Sequence, residues 1–296
     1  RNSTGQGTFT MPTGTAYSIN TYFMALEERT GLCRPAEIAE SMGVRLGSGE
    51  PLLRVPSFTL GTMEVTPLAM AGAYATFANH GSYCEPRAIL EITDRNGDPV
   101  PIPNVRCTQV LDPNIADSVA ALLTYVIDGP IPGRTGGAMA LDRAAAGKTG
   151  TTNESAAVWF CGFTPDLAAA VWVGDPRGGF RYPMKDITVN GTYYRQVFGG
   201  TLPGPIWKQS MTSALVDTPS SNFQLTSSWG LKPGRGLTTV PGGIDPTKPD
   251  PNVFTFENGT ASPAPAESGS AAPEQLGADA APTVEPTVEP APNPTG

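Results

Sequence analysis

Ala144-Ala145-Ala146-Gly147-Lys148-Thr149-Gly150-Thr151-Thr152 opens the part of the chain that decides its fold. It runs on through Ala156-Ala157-Val158-Trp159-Phe160-Cys161-Gly162-Phe163 and Leu167-Ala168-Ala169-Ala170-Val171-Trp172-Val173-Gly174. These are three short strands joined by tight turns. The second is apolar almost throughout, as a strand covered on both faces is, and Thr164-Pro165-Asp166 is turn chemistry. The first strand departs from that pattern. Its small residues admit another body close to the backbone, Lys148 supplies a point charge with three donors, and Thr149 and Thr151 alternate onto one face. Gly150 lacks the Cβ that would hold a ligand off the main chain. Such an edge suits an extended peptide ending in a carboxylate, through main-chain pairing along its length and hydroxyls and ammonium at its end. A phosphate-cradling loop is excluded, because the glycine needed five positions before Gly147 is Asp142.

Working outward, 296 residues with 39% hydrophobic content are enough for one sizeable core or two small ones. The net charge of −8 is concentrated at the end. Residues 251–296 hold Glu257, Glu267, Glu274, Asp279, Glu285 and Glu289 with no Lys or Arg, leaving 19 basic against 21 acidic residues over 1–250. A near-neutral body with an acidic tail offers no electrostatic case for nucleic acid or an anionic membrane surface. One histidine, His80, and no close pair of cysteines argue against a metal site; His80, at a helix end, reads as a surface or capping residue. No run approaches the ~18 apolar residues of a spanning helix.

Helices are expected over Thr21–Thr30, from Pro35 to Gly43, from Thr66-Pro67, and from Asp112-Pro113; the last two combine a cap residue with proline at the first helical position. A final amphipathic helix carries Trp207, Met211, Ala214 and Leu215. Residues 1–16 read as loop and 175–200 as a Gly/Tyr-rich excursion. Ala88–Thr93 and Asp94-Arg95-Asn96-Gly97-Asp98 suggest a hairpin bracketed by Cys84 and Cys107. These two are the disulfide candidates, although four cysteines allow three pairings; such a bond would indicate an oxidising compartment. Cys161, inside the apolar strand, reads as an inert thiol. Residues 218–240 read as a poorly structured extension. Residues 241–296, with Thr-Val-Glu-Pro repeated at 283–286 and 287–290, read as a disordered tail.

Tyr17-Ser18-Ile19-Asn20 lies where loop becomes helix. Ser-x-Asn, then about 130 residues, then Lys-Thr-Gly-Thr on a strand leading a meander resembles the penicillin-binding transpeptidases, whose signature is Ser-x-x-Lys, Ser-x-Asn and Lys-Thr-Gly in that order. Leu60-Gly61-Thr62-Met63-Glu64-Val65-Thr66-Pro67 through His80-Gly81, Trp159-Phe160-Cys161-Gly162-Phe163-Thr164-Pro165, Val171-Trp172-Val173-Gly174 and Phe198-Gly199-Gly200 resemble the class A, bifunctional members. The placement of Cys84 and Cys107 resembles the actinobacterial branch. The similarity covers residues 10 to about 217.

The resemblance implies an α+β fold of the penicillin-binding transpeptidase and serine β-lactamase type, an antiparallel sheet with helices packed on it. It also implies acyl transfer. A serine attacks the carbonyl between two terminal D-alanines of a peptidoglycan stem peptide, and an amine from a neighbouring stem resolves the ester. Ser18, Asn20 and Lys148 would be catalytic: Ser18 relaying a proton, Asn20 holding the donor's backbone amide, Lys148 lowering the proton affinity of Ser18. Thr149, Gly150 and Thr151 would bind substrate, both threonines engaging the terminal carboxylate. The implied partners are D-Ala-D-Ala donors, amine acceptors and β-lactams, with no cofactor and no metal. The implied location is the extracytoplasmic face of the membrane, reached through an N-terminal anchor outside this chain.

One departure stands against this agreement. Ser3 is followed three positions on by Gln6, Ser18 by Thr21 and Ser227 by Gly230, so the Ser-x-x-Lys nucleophile is not found. Residues 1–217 are therefore expected to be the C-terminal part of a transpeptidase domain, lacking its first strands and nucleophile helix and inactive alone. A non-catalytic wall module and a serine β-lactamase are the competing readings, and no motif supplies the latter's water-activating base.

Overall fold

The computed structural model describes residues 7–223 together with the backbones of 254–257 and 260–263. Strand β1 (Gly7–Phe9) leads into helix α1 (Met11–Tyr17), followed by α2 (Asn20–Thr30), α3 (Cys33–Ser41) and α4 (Pro67–Ala78). Next come the paired strands β2 (Ser82–Cys84) and β3 (Cys107–Gln109), then α5 (Pro113–Ile127). The meander is β4 (Ala146–Thr151), β5 (Ala157–Phe163) and β6 (Ala168–Gly174). The hairpin β7 (Lys185–Val189) and β8 (Thr192–Gln196), helix α6 (Pro203–Ala214), and strands β9 (Phe254–Glu257) and β10 (Thr260–Pro263) complete the order.

The meander is antiparallel throughout, in the order β4-β5-β6, with Lys148 opposite Cys161 and Trp159 opposite Trp172. Helices α4 and α5 pack against it, as does α6. Because side chains alternate across a strand, the sheet has two different cores. Phe163 meets Tyr74 of α4 and Phe223, at centroid separations of 6.1 and 5.5 Å. Phe160 meets Trp207 of α6 at 5.0 Å. Val158, Phe160 and Phe163 are fully buried, which accounts for the continuous apolar run of β5. Gly162 has a specific duty here: a Cβ on it would fall 2.7 Å from Trp207 Cζ2, while its carbonyl accepts from the Trp207 indole N–H at 3.2 Å.

The caps read from sequence operate as expected on α4 and α5. The Thr66 hydroxyl accepts from Ala69 N, the Asp112 carboxylate accepts from Asn114 N, and each is followed by proline in the first turn. Four stretches differ from expectation. The stretch 1–16, read as loop, contains β1 and all of α1 but its last residue, Tyr17. The helix forms although Pro12, Gly14 and two threonines are poor helix formers. A reciprocal box between Thr10 and Thr13 closes its first turn, and Gly14 leaves space for the Tyr22 ring, 2.8 Å from where its Cβ would lie. Between Cys84 and Cys107 the expected turn forms, with the Asp94 carboxylate accepting from Asn96 N and Asp98 N. The strands of that hairpin reduce to one bridge, Thr93 with Pro99. Prolines at 86, 99, 101 and 103 lack the N–H a ladder needs; the continuous pairing is at the base, where β2 and β3 align Cys84 with Cys107.

The excursion at 175–200 contains the β7–β8 hairpin. Its turn is Asn190-Gly191, both residues at positive φ, the two-residue signal that suits twisted strands. Within the stretch read as tail, β9 pairs with β1 on one side and β10 on the other. The alternation Phe254-Thr255-Phe256-Glu257 followed by Asn258-Gly259 is a local strand-and-turn signal hidden by the surrounding Pro/Ala-rich composition. The other residues of the expected extension and tail, 224–253, 258–259 and 264–296, lie outside the described residues. Among the described residues no helix is long and apolar enough to cross a membrane.

Candidate active site

Strand β4 pairs with β5 along one side only; in the described sheet its other side is an edge. Lys148, half-buried, extends from it, and its ammonium donates to Ser18 Oγ at 2.7 Å and to the Thr149 carbonyl at 3.0 Å. Two groups 130 residues apart in the sequence thus meet at one point. Lys148 makes no ion pair among the described residues, and burial lowers its pKa to about 8. It is a cation that loses its proton far more easily than a surface lysine.

Ser18 does not cap the helix that follows it. It terminates α1 in the left-handed conformation, φ 56 and ψ 53, its N–H bonded to Gly14 O and Thr15 O; Ile19 then precedes α2. A non-glycine residue there is uncommon and marks a position held by its surroundings. The hydroxyl is therefore aimed by the junction of two helices. Asn20 is the first residue of α2, half-buried and two positions beyond Ser18.

Thr149 and Thr151 share the opposite face of β4. Thr149 Oγ1 lies 3.0 Å from Thr135 Oγ1, and Thr151 Oγ1 accepts from Gly199 N at 3.0 Å. Around Gly150 the close neighbours are the chain's own: a Cβ there would meet Trp159 Cβ at 3.1 Å, and one on Gly199 would meet Trp159 O at 2.5 Å and Gly150 N and O at 2.9 Å. Gly199 is bare because it lies on that backbone. Neither Thr135 nor the backbone role of Gly199 belongs to any local chemical motif. In the sequence, Gly199 stands in the Phe198-Gly199-Gly200 stretch that carries part of the family resemblance.

Beside the Lys148–Thr152 edge lies a cavity of about 340 Å³ whose opposite wall is apolar, including Met42, Leu52, Phe58, Met63 and Phe77. Cys161 also lines it; burial pushes its thiol up to about 12, so it stays protonated and serves as an apolar side chain. Cys84 and Cys107 are joined. His80, at the end of α4, bonds Asp117 Oδ1 at 2.7 Å. Among the described residues no three His, Cys, Asp or Glu side chains gather as metal ligands.

An ammonium of lowered pKa, a serine held in a left-handed turn and threonine hydroxyls along a sheet edge thus lie together beside one cleft. A family profile described as the penicillin binding protein transpeptidase domain matches residues 1–179, and the chain belongs to that family. Penicillin-binding protein 1A of Aquifex aeolicus is 33% identical over 220 residues, covering 74% of this chain and 27% of that protein. Its counterpart in Clostridium botulinum is 30% identical over 216 residues, covering 71% and 24%. The chain thus spans about a quarter of the length of the curated relatives it matches. Among solved structures, the penicillin-binding protein PonA1 from Mycobacterium tuberculosis superposes with TM-score 0.63 at 27% identity, covering 82% of this chain and 64% of that one. Its complex with penicillin V gives 0.60 at 26%, covering 79% and 62%. The expected α+β transpeptidase fold is the fold observed, and the mycobacterial neighbours agree with the actinobacterial resemblance.

Proposed function

We propose that this chain is the C-terminal part, over residues 1–217, of the D,D-transpeptidase domain of a peptidoglycan synthase on the extracytoplasmic side of the membrane. The domain would join stem peptides through an acyl-serine intermediate and be acylated by penicillin. The observation that carries this reading is the 2.7 Å contact between Lys148 Nζ and Ser18 Oγ. In its charged form Lys148 eases proton transfer through Ser18, whose hydroxyl relays a proton from the lysine of the Ser-x-x-Lys segment to the departing D-alanine amine, and from the attacking amine back to that lysine. The same charge attracts the substrate carboxylate. Asn20, opening α2, is assigned to the donor's backbone amide, and Thr151 to the carboxylate. The nucleophile is assigned to a Ser-x-x-Lys segment outside residues 1–296. The apolar wall of the cavity beside Lys148 gives that segment a surface to pack on, bringing a serine to the edge of β4. A glycosyltransferase domain and a membrane anchor are assigned to the full-length protein on the strength of the sequence resemblance to class A members.

The test is covalent labelling with a fluorescent penicillin. The full-length protein is expected to form a stoichiometric adduct that survives denaturation, and residues 1–296 alone none. Lys148→Ala and Ser18→Ala in the full-length protein are expected to slow acylation at least about 100-fold, the scale of a lost acid–base or charge-stabilising group. Labelling of the isolated chain would place the nucleophile inside it, and wild-type rates in either variant would remove the Lys148–Ser18 pair from the mechanism.

A further inference from the structure

Glu27 of α2 is 8% exposed, and its Oε2 is enclosed with no hydrogen-bond partner. Among the described residues no other buried side-chain nitrogen or oxygen is left in that state. Its neighbours Glu28 and Arg29 are exposed, as charged residues ordinarily are. Asp117, also buried, is met by His80 at 2.7 Å. A buried acceptor without a donor costs the desolvation of the group, and a buried carboxylate is kept only where a cation or a set of donors answers it. The cations nearest in sequence are engaged otherwise or lie apart. Arg34 pairs with Glu37 at 3.4 Å and Arg54 with Glu40 at 3.3 Å. Arg29, two positions along the helix, lies on a different side of it from Glu27.

The place of Glu27 on α2 points to what answers it. It stands seven residues after Asn20, which is two helical turns and about 10.5 Å along the same face. Asn20 is assigned to the reaction cleft. Helix α2 also packs on the turn Pro56–Leu60, which gives Phe58 to the apolar wall of the cavity beside Lys148. A segment that brings a serine to Ser18 and Lys148 therefore has α2 at its side. In Ser-x-x-Lys the serine and lysine, three apart, share one face of a helix. Laid along α2 with its serine beside Asn20, such a helix sets a second residue, about two turns on, opposite Glu27. Resting on the transpeptidase reading, we propose that Glu27 anchors the nucleophile-bearing segment through a buried ion pair with an arginine or lysine about six to eight residues from its serine. The pair fixes how far that helix slides along α2. It thereby sets where the serine stands relative to Ser18 and Lys148, which makes Glu27 a positioning residue.

The test is a charge exchange in the full-length protein, read as the rate of covalent labelling by a fluorescent penicillin. Glu27→Gln, which keeps the shape and removes the charge, is expected to slow acylation about 10- to 100-fold. Each Arg or Lys within about eight residues of the serine, the motif lysine excepted, is changed to Gln in the wild-type and Glu27→Gln backgrounds. One of them is expected to slow acylation as Glu27→Gln does and to add less than about 2-fold on top of it, as members of one pair do. Reversing both charges, Glu27→Lys with that cation changed to Glu, restores at least about 10-fold over Glu27→Lys alone. A residue needed only for its shape gives no such rescue. Acylation of Glu27→Gln at the wild-type rate overturns the inference, as do effects that simply multiply for every cation tried. If Glu27→Gln yields no folded protein, Glu27→Lys combined with each cation changed to Glu decides: one labelled combination supports the ion pair, and none overturns it. A wild-type protein that takes up no penicillin sinks the transpeptidase reading and this inference with it; a labelled wild type without a coupled cation sinks the inference alone.

Discussion

Strands β4 and β5 lie side by side in one sheet and are built on opposite terms. In β5, Val158, Phe160 and Phe163 are fully buried, and its glycine exists to let an indole close on the backbone. In β4, burial stops after Gly147, and the next four residues carry an ammonium, two hydroxyls and a bare Cα. One strand supplies free energy of folding and its neighbour holds a group that folding disfavours, a partly desolvated cation. The rigid strand is what makes the reactive one possible, since Lys148 stays in register opposite Cys161.

Breaking the packed side should have the largest effect on stability. Phe160→Ala removes a ring held between the sheet and Trp207 and is expected to destabilise the protein by about 3–5 kcal/mol, measured by chemical denaturation. A loss under about 1 kcal/mol would show that the α6 face is not a continuous core. Gly162→Ala comes next. Its methyl would press on Trp207 Cζ2 and on Ala146 O at 3.0 Å, costing about 1–3 kcal/mol as overpacking. A neutral result would mean that the indole moves freely.

The smallest effect, and the one of opposite sign, belongs to the reactive strand. Burial lowers the Lys148 pKa from 10.5 to about 8. Between those values the unfolded chain binds the proton and the folded chain does not, so stability rises with pH across that window. Below pH 8 the penalty on the folded state is fully present. Lys148→Met removes it and is therefore expected to stabilise the protein by about 1 kcal/mol near pH 7, after the lost Ser18 hydrogen bond is set against the gain. The advantage should shrink as pH is raised toward 10.5. A variant less stable than wild type at pH 7 would show that the ammonium is well accommodated and that the contrast between the strands is one of sequence only.

The same contrast explains what could be read from the residues alone. β5, β6, α4 and α5 were legible because apolar periodicity and Thr-Pro or Asp-Pro starts are local signals with a direct physical cause. Lys148 and Ser18 were legible as two motifs, and the fold supplied their meeting. Helix α1 was not legible, because its stability comes from a capping box and from the burial of Gly14, Thr15 and Ala16 rather than from propensity. The conformation of Ser18 was hidden for the same reason: without α1 there is no junction for it to close. Thr135 carries no local signal, since the partners of its hydroxyl lie 119 and 14 residues away. The β7–β8 turn is a different kind of miss. Asn190-Gly191 carries the same local signal as Asn96-Gly97, and the strands beside it are too polar to advertise themselves.

Between Cys84 and Cys107 every residue from 85 to 106 is exposed except the half-covered Ile102, and the two ends are bonded through sulfur. This stretch is a closed hoop outside the hydrophobic clusters. A peptide bond severed anywhere around it leaves one molecule rather than two, and extra chain spliced into it lengthens the hoop without changing where β2 and β3 stand. The disulfide makes this the place where the protein can gain or lose sequence without disturbing the cleft.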